Sequence, residues 1–252
     1  MRLTLSSSAL PEAALPELVA AGVRRGFAGL ELEEGHAHGL GPGAPTAAVE
    51  AMAAGAARSG LPITAFRLGD AGRAADPATA RLGTALGAPI VATVDPDHAA
   101  IVVADAVPHF AEAGATLLLA VETGRAEVMA WLRAVAEMAP PGAVGLAWDI
   151  DPGAGPLTTP DAVLEAGGGR IRHIRLQGGG PEAVGQVGLG IGRLMGALAL
   201  AGYAGTFALA PSTPRFRHAW RAWLGHRGGW GCGSKAGAEL IGIAGGPGGA
   251  GR

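Results

Sequence analysis

Short apolar runs alternate with longer stretches of helical periodicity eight times along this chain of 252 residues. The runs are rich in β-branched residues, and several lack polar alternation, as expected of strands buried on both faces. The predicted strands cover residues 2–6, 29–33, 62–68, 89–95, 116–122, 144–150, 170–177 and 205–210. Eight such units in about 225 residues favour an α/β fold of the closed (β/α)8 TIM-barrel type over an open doubly wound sheet.

Helices are predicted between and after these strands, at residues 11–23, 46–60, 77–87, 98–114, 125–138, 159–167, 191–202 and 215–225. Many of them end at glycine, which adopts the left-handed C-cap conformation at low cost. Thr159 is the predicted N-cap of the sixth helix. We expect a single barrel domain over residues 1–227. A flexible Gly-rich tail should follow over residues 228–252, because that stretch has no amphipathic period.

The charge balance and the cysteine content exclude several classes of function. With 19 basic and 21 acidic side chains and no basic cluster, the chain lacks the charge pattern of a nucleic-acid-binding protein. Cys232 is the only cysteine, so an intramolecular disulfide and a thiolate metal site are both ruled out. The sequence shows neither a secretion signal nor a membrane-spanning run. We therefore predict a cytoplasmic protein with no membrane partner.

In a barrel of this type the active site lies at the C-terminal ends of the strands. Two carboxylates there, Glu122 and Asp149, each end an apolar strand and would face the barrel mouth. A nearby cation or hydrogen-bond donors must then offset their desolvation. The alternative is that each carboxylate caps a following helix or pairs locally.

Several motifs resemble the xylose-isomerase-like sugar phosphate isomerase/epimerase family over roughly residues 1–215. They are VET, GLAWDID, RHIRLQ and GLGIG followed by GYAGTFALA, with GFAGLELE at the second strand. The resemblance implies a TIM barrel that isomerises or epimerises a sugar. It also implies a divalent metal held by Glu on strand five, Asp on strand six, His on strand seven and Glu on strand eight.

Only part of that metal-binding set is present in this chain. Glu122 and Asp149 match the first two ligands, but Arg175 stands at the His position and Ala210 at the last Glu position. The family's His three residues after the strand-six Asp is replaced by Pro152. The metal-binding set is therefore incomplete, and a guanidinium in its middle would repel a divalent ion. We expect no resident cofactor, and the alternative is a divalent metal bound at the incomplete site.

We therefore expect Arg175 to take the place of the metal and to form ion pairs with Glu122 and Asp149. Such a site would work without a metal, with Arg175 polarising a carbonyl or holding an anionic group while a carboxylate moves a proton. The residues assigned to catalysis are Glu122, Asp149 and Arg175. The residues assigned to substrate contact are Glu31, His36, His173 and Gln177.

Two weaker features have alternative interpretations. The glycines between residues 178 and 192 could bind a phosphate through backbone donors, or could form a flexible loop. His36 and His38 could share a transition metal with Glu33 or Glu34, although a solvated loop is the simpler interpretation.

The predicted function is therefore that of a sugar phosphate isomerase/epimerase-like barrel acting on a small polar substrate, such as a sugar or sugar phosphate. The alternative is a catalytically degenerate barrel that serves as a ligand-binding or scaffold protein. A metal-independent lyase or dehydratase is a third interpretation. Assembly into a homo-oligomer is compatible with the sequence.

Overall fold

Eight parallel strands form a closed barrel in the computed structural model, which describes residues 1–122, 142–150, 160–167, 169–177, 196 and 198–210. Each strand pairs with its neighbours in chain order, and β8 closes the barrel against β1. The strands are β1 (Arg2–Ser6), β2 (Gly29–Glu33), β3 (Ile63–Arg67), β4 (Ile90–Thr93), β5 (Leu117–Glu122), β6 (Val144–Ile150), β7 (Ile171–Gln177) and β8 (Thr206–Ala210). The predicted fold class is confirmed.

Helices connect the strands on the outside of the barrel. They are α1 (Leu15–Arg24), α2 (Thr46–Arg58), α3 (Pro77–Leu86), α4 (Pro96–Ala113) and α5 (Pro160–Gly167), with short 3-10 helices at Ser7–Ala9 and Ala71–Ala75. The predicted glycine C-cap is confirmed at Gly87, whose φ is 62° after α3. The predicted helices at 125–138 and 215–225, the N-cap Thr159 and the tail from 228 lie outside the described residues.

The main apolar core lies between the strands and the helices. Strand residues such as Phe66, Ile90, Leu119, Trp148 and Phe207 belong to it, and each is almost completely buried. Because successive strand side chains point to opposite faces, the residues that alternate with them face the barrel axis. The outer face of the strands therefore anchors the helices and leaves the inner face for polar groups.

The barrel interior is divided into an apolar wall and a polar wall. Small apolar side chains from β3 to β6 form a separate inner cluster, namely Ala65, Val91, Leu118, Ala120 and Ala147. Most buried polar side chains of the interior come from the other strands, namely Thr4, Ser6, Glu31, His173 and Thr206. The polar wall is therefore built mainly by β7, β8, β1 and β2, and Arg67 of β3 and Asp149 of β6 add two buried charges at the mouth.

No helix within the described ranges is both long enough and apolar enough to cross a membrane.

Gly205 lies where β8 enters the barrel, and its substitution tests this packing. A Cβ atom there would overlap the Arg172 carbonyl oxygen and the Tyr203 ring, neither of which can move without disturbing β7 or β8. We predict that Gly205→Ala lowers the free energy of unfolding by about 1–3 kcal/mol. Urea denaturation measures this change. Gly43→Ala is the control, since a Cβ at Gly43 meets nothing within 4 Å, and an equal loss in both variants would contradict the packing.

Candidate active site at the barrel mouth

A buried ion pair joins β3 to β6 across the barrel. The Arg67 Nη2 atom lies 2.7 Å from Asp149 Oδ1, and the two side chains are 8% and 1% exposed. The other Arg67 terminal nitrogen, Nη1, donates to Thr93 Oγ1 at 2.8 Å. Gln177 Nε2 donates to the second oxygen of Asp149, also at 2.8 Å. Both carboxylate oxygens of Asp149 therefore accept N–H donors.

A second arginine crosses the barrel from β7 to β2. The Arg175 Nη2 atom lies 2.6 Å from Glu33 Oε1, and Nη1 lies 3.5 Å from Glu31 Oε1. Burial by itself lowers the pKa of Arg175, but the charges of Glu31, Glu33 and Asp149 raise it above its ordinary value. Arg175 is therefore a permanent cation in the mouth.

Below Arg175, the completely buried His173 contacts Glu31. His173 Nε2 lies 2.5 Å from Glu31 Oε2, and Nδ1 lies 2.7 Å from Thr206 Oγ1. Burial by itself raises the pKa of Glu31. The charge of Arg175, the hydrogen bond from His173 and the charges of His173 and Arg67 outweigh burial and hold this pKa well below its usual range. Glu31 is therefore ionised, and His173 donates to it from Nε2.

Glu33 forms the outer edge of this cluster. Its side chain is 20% exposed, whereas that of Glu31 is completely buried. The Oε1 atom of Glu33 accepts from Ser6 Oγ at 3.0 Å as well as from Arg175. Among the described groups that pair with the two arginines, Glu33 is therefore the carboxylate that a substrate could reach.

The two histidines after β2 have different environments. His38 is buried, donates from Nε2 to the Glu33 carbonyl at 2.8 Å and accepts the Leu40 N–H at Nδ1. Burial lowers the pKa of His38, so it is a neutral residue that shapes the loop. His36 is partly exposed, and its Nδ1 lies 2.8 Å from Ser7 Oγ. The solvated loop expected from the sequence is therefore wrong for His38, which is buried, whereas His36 is partly exposed.

His36 also borders a pocket beside the mouth, formed by the segments after β2 and β3. The pocket has a volume of about 680 Å³ and is lined by Glu34, Asp70 and Arg73 in addition to His36 and backbone of residues 39–44. Arg73 pairs with Glu34 across it. The expected substrate contact of His36 therefore remains compatible with its position.

The structure corrects the expected partners of Arg175. Its guanidinium contacts Glu31 and Glu33, and Arg67 rather than Arg175 forms the ion pair with Asp149. The reason is the direction of the two long side chains, because each crosses the barrel to a strand three positions away. Glu122 pairs with Asp149 in the strand register, but its side chain lies outside the described residues.

Five of the predicted site residues lie in this mouth, in two hydrogen-bonded groups: Glu31, His173 and Arg175 in one, and Asp149 and Gln177 in the other. The strand pattern places Arg67 and Glu33 at strand ends. From the sequence, Glu33 is considered only as a possible metal ligand with His36 and His38, and Arg67 is assigned no role. A buried arginine at the end of an apolar strand, ITAFR, is the available signal for Arg67. Ser6, which is bonded to Glu33, carries no signal in the sequence that marks it as part of a site.

The residues present do not fit the divalent metal that the resemblance implies. Asp149 accepts N–H donors at both oxygens, Arg175 occupies the His position and Ala210 cannot ligate. Within the described residues, no group of three or more His, Cys, Asp or Glu side chains is arranged to hold a metal ion. The partners of the Asp149 carboxylate are a guanidinium and an amide N–H group, which have no lone pair for a cation.

No protein-family model and no curated protein sequence matches this chain. Solved structures do match it. An L-ribulose 3-epimerase is 17% identical, with a TM-score of 0.63 over 85% of this chain and 82% of that one. A 3-keto-D-glucoside 4-epimerase from E. coli is 15% identical, with a TM-score of 0.59 over 89% and 98%.

A third solved structure, the probable 3-DHS dehydratase from Bacillus anthracis, is 12% identical, with a TM-score of 0.61 over 89% of this chain and 97% of that one. At these identities the likeness establishes the fold. The chain therefore shares the TIM-barrel fold of these two sugar epimerases and this dehydratase.

The depressed pKa of Glu31 makes the stability of the protein depend on pH. The folded-state pKa lies well below the ordinary value of 4.5. The ionised carboxylate therefore stabilises the fold above the ordinary value, and this contribution is lost as the pH falls through the depressed folded-state pKa. We predict that Glu31→Gln lowers the free energy of unfolding by about 3 kcal/mol at neutral pH, because it leaves part of the Arg175 charge unpaired.

Urea denaturation at about pH 7 and about pH 3 measures this effect. The difference in the free energy of unfolding between wild type and Glu31→Gln should be smaller at the acidic pH. Glu50→Gln, on the exposed face of α2, is the control and should leave the pH profile unchanged. An equal difference in the free energy of unfolding at both pH values would contradict a depressed pKa of Glu31 in the folded protein.

Proposed function

We propose that this protein is a sugar phosphate isomerase/epimerase-like enzyme that acts on a sugar or a related small polar substrate without a divalent metal. The observation that carries the proposal is the contact between Glu33 and Arg175 at 2.6 Å, at the solvent-reached edge of an otherwise buried charge cluster. A base and a fixed cation side by side are the groups that proton abstraction next to a carbonyl needs.

In this mechanism the Glu33 carboxylate removes a proton from the carbon next to the substrate carbonyl. The electron pair of that C–H bond forms the enolate, and the negative charge that develops on the carbonyl oxygen is stabilised by Arg175 and by a Gln177 N–H. Transfer of the hydroxyl proton on the deprotonated carbon to the former carbonyl oxygen, with return of the proton from Glu33 to the former carbonyl carbon, gives the isomer. Return to the opposite face of the same carbon gives the epimer and requires a second acid.

The other residues of the mouth orient these groups. His173 and Glu31 hold Arg175 from below. Asp149 holds Gln177 through a 2.8 Å hydrogen bond and is itself only 1% exposed, so it acts as a positioning residue. Glu122 remains a candidate acid at the end of β5.

The proposal also includes the setting of the enzyme. We place it in the cytoplasm, where a single unpaired cysteine is ordinary. Its partner is a small-molecule substrate, since the chain lacks a basic cluster for nucleic acid. The sugar epimerases that share its fold favour a polyhydroxylated ligand.

A second candidate is a barrel that binds a small ligand without catalysis. The near-complete burial of Asp149 and the pairing of both arginines with carboxylates favour it, because a neutralised cluster has few free groups. The opposing observation is that Nε of Arg67 and Nε of Arg175 are buried without a hydrogen-bond acceptor in the described structure. Such groups cost stability and are typical of functional sites.

Wash-in of solvent deuterium tests the catalytic proposal whichever product is formed. The EDTA-treated protein is incubated in D2O with a panel of ketopentoses, ketohexoses and their phosphates, and exchange at carbon is followed by proton NMR. We predict exchange on at least one substrate. Glu33→Gln should lower its rate by a factor of about 10²–10⁴, the usual contribution of a general base.

Glu17→Gln is the matched control, because Glu17 caps α1 outside the mouth. Its exchange rate should equal that of wild type. If no substrate exchanges, the catalytic proposal is wrong. If the same sugars then raise the melting temperature of wild type but not of Arg175→Gln, the binding candidate replaces it.

A further inference from the structure

We infer that Arg67 is the resident cation of the barrel mouth, and that its charge against Asp149 keeps a divalent metal from binding there. This inference concerns the electrostatics of the site and is independent of the reaction proposed above. It assigns a role to a residue whose strand, β3, supplies no ligand to the metal set that the resemblance implies.

The first support is the geometry of Asp149. Arg67 Nη2 approaches one oxygen of Asp149 to 2.7 Å, and Gln177 Nε2 approaches the other to 2.8 Å. Asp149 is the member of the implied metal set whose side chain the structure describes. Its carboxylate therefore already has a charged partner and a neutral donor, in a site that is 1% exposed.

The second support is the fixation of Arg67 from two sides. Thr93 Oγ1 accepts from Nη1 at 2.8 Å, so the guanidinium is held between β4 and β6 and its side chain is only 8% exposed. A guanidinium remains protonated at every accessible pH, unlike lysine or histidine. A metal would therefore have to approach this cation against charge repulsion in a poorly screened interior.

The third support is the separate engagement of Arg175. Its terminal nitrogens contact Glu31 and Glu33, so it compensates the carboxylates of β2, whereas Arg67 compensates the carboxylate of β6. Replacing Arg175 with a metal-ligating histidine would therefore restore one metal-binding side chain, but the Arg67 cation would still lie beside Asp149. This division of charge predicts that Arg67 must change before the site accepts a metal.

Restoring the missing ligands with and without Arg67 tests the inference. The double variant Arg175→His/Ala210→Glu supplies the His and Glu of the implied set but keeps Arg67. The triple variant adds Arg67→Gln. EDTA-treated full-length proteins are titrated with Mn²⁺ by calorimetry. We predict that the triple variant binds one Mn²⁺ at least about 100-fold more tightly than the double variant, a difference of about 2.7 kcal/mol.

Arg67→Lys in place of Arg67→Gln is the matched control, because lysine keeps the positive charge. That triple variant should bind Mn²⁺ as weakly as the double variant. Equal affinity of the double variant and the Gln triple variant overturns the inference. Equal affinity of the Lys and Gln triple variants overturns it as well, since the charge would then play no part.

Because the loss of two buried arginines can prevent folding, a second experiment leaves both in place. Asp149→Asn removes the carboxylate and leaves Arg67 in need of an anion. Melting temperatures are compared in sodium chloride and in sodium gluconate at equal ionic strength. We predict that chloride raises the melting temperature of Asp149→Asn by about 2–4 °C relative to gluconate.

The melting temperature of wild type should be the same in chloride as in gluconate. The same should hold for the double variant Arg67→Gln/Asp149→Asn. A chloride effect that persists after Arg67 is replaced would assign the anion to another group and overturn the inference. If chloride has no effect on the melting temperature of Asp149→Asn, the Arg67 charge in that variant is already compensated by another group. This result would overturn the inference as well.

Discussion

The ion pair between Arg67 and Asp149 is the constraint on which the mouth of this barrel depends. It links β3 to β6 across the axis, and its partner bridge from Arg175 to Glu33 links β7 to β2. Two charges removed from water lose several kcal/mol each, and only close pairing with further hydrogen bonds restores that energy. The bonds from Thr93 and Gln177 meet this requirement on the Arg67 side.

These two ion pairs explain how the barrel holds three buried or half-buried carboxylates at its mouth although part of the metal-ligand set implied by the resemblance is missing. Glu31, Glu33 and Asp149 face two guanidiniums, and His173 donates to the most deeply buried of the three. The positive charge is then carried by side chains fixed to the strands. The consequence for function is a pair of fixed guanidinium charges at the mouth, independent of metal supply, with Glu33 at the accessible edge of the cluster.

The fold could be predicted from the sequence because a buried parallel strand appears as a short apolar run, rich in β-branched residues and without polar alternation. RLTLS, GLELE and VGLAWDI have the predicted bounds, and the other strands agree within two residues at each end. The site was predicted less completely. Strand position placed Asp149 and Arg175 at the mouth, but a long arginine reaches across the barrel, and no local pattern tells which opposite carboxylate it meets. The pairing of Arg175 with Glu31 and of Arg67 with Asp149 follows from tertiary geometry alone.

A crystal structure of the purified protein soaked in Mn²⁺, with anomalous data collected at the manganese edge, tests the central claim most directly. The account predicts the Arg67 guanidinium between Thr93 and Asp149, with Nη2 close to Asp149 Oδ1, and no anomalous peak at the mouth. An anomalous peak on Asp149 with Arg67 displaced into solvent would contradict it.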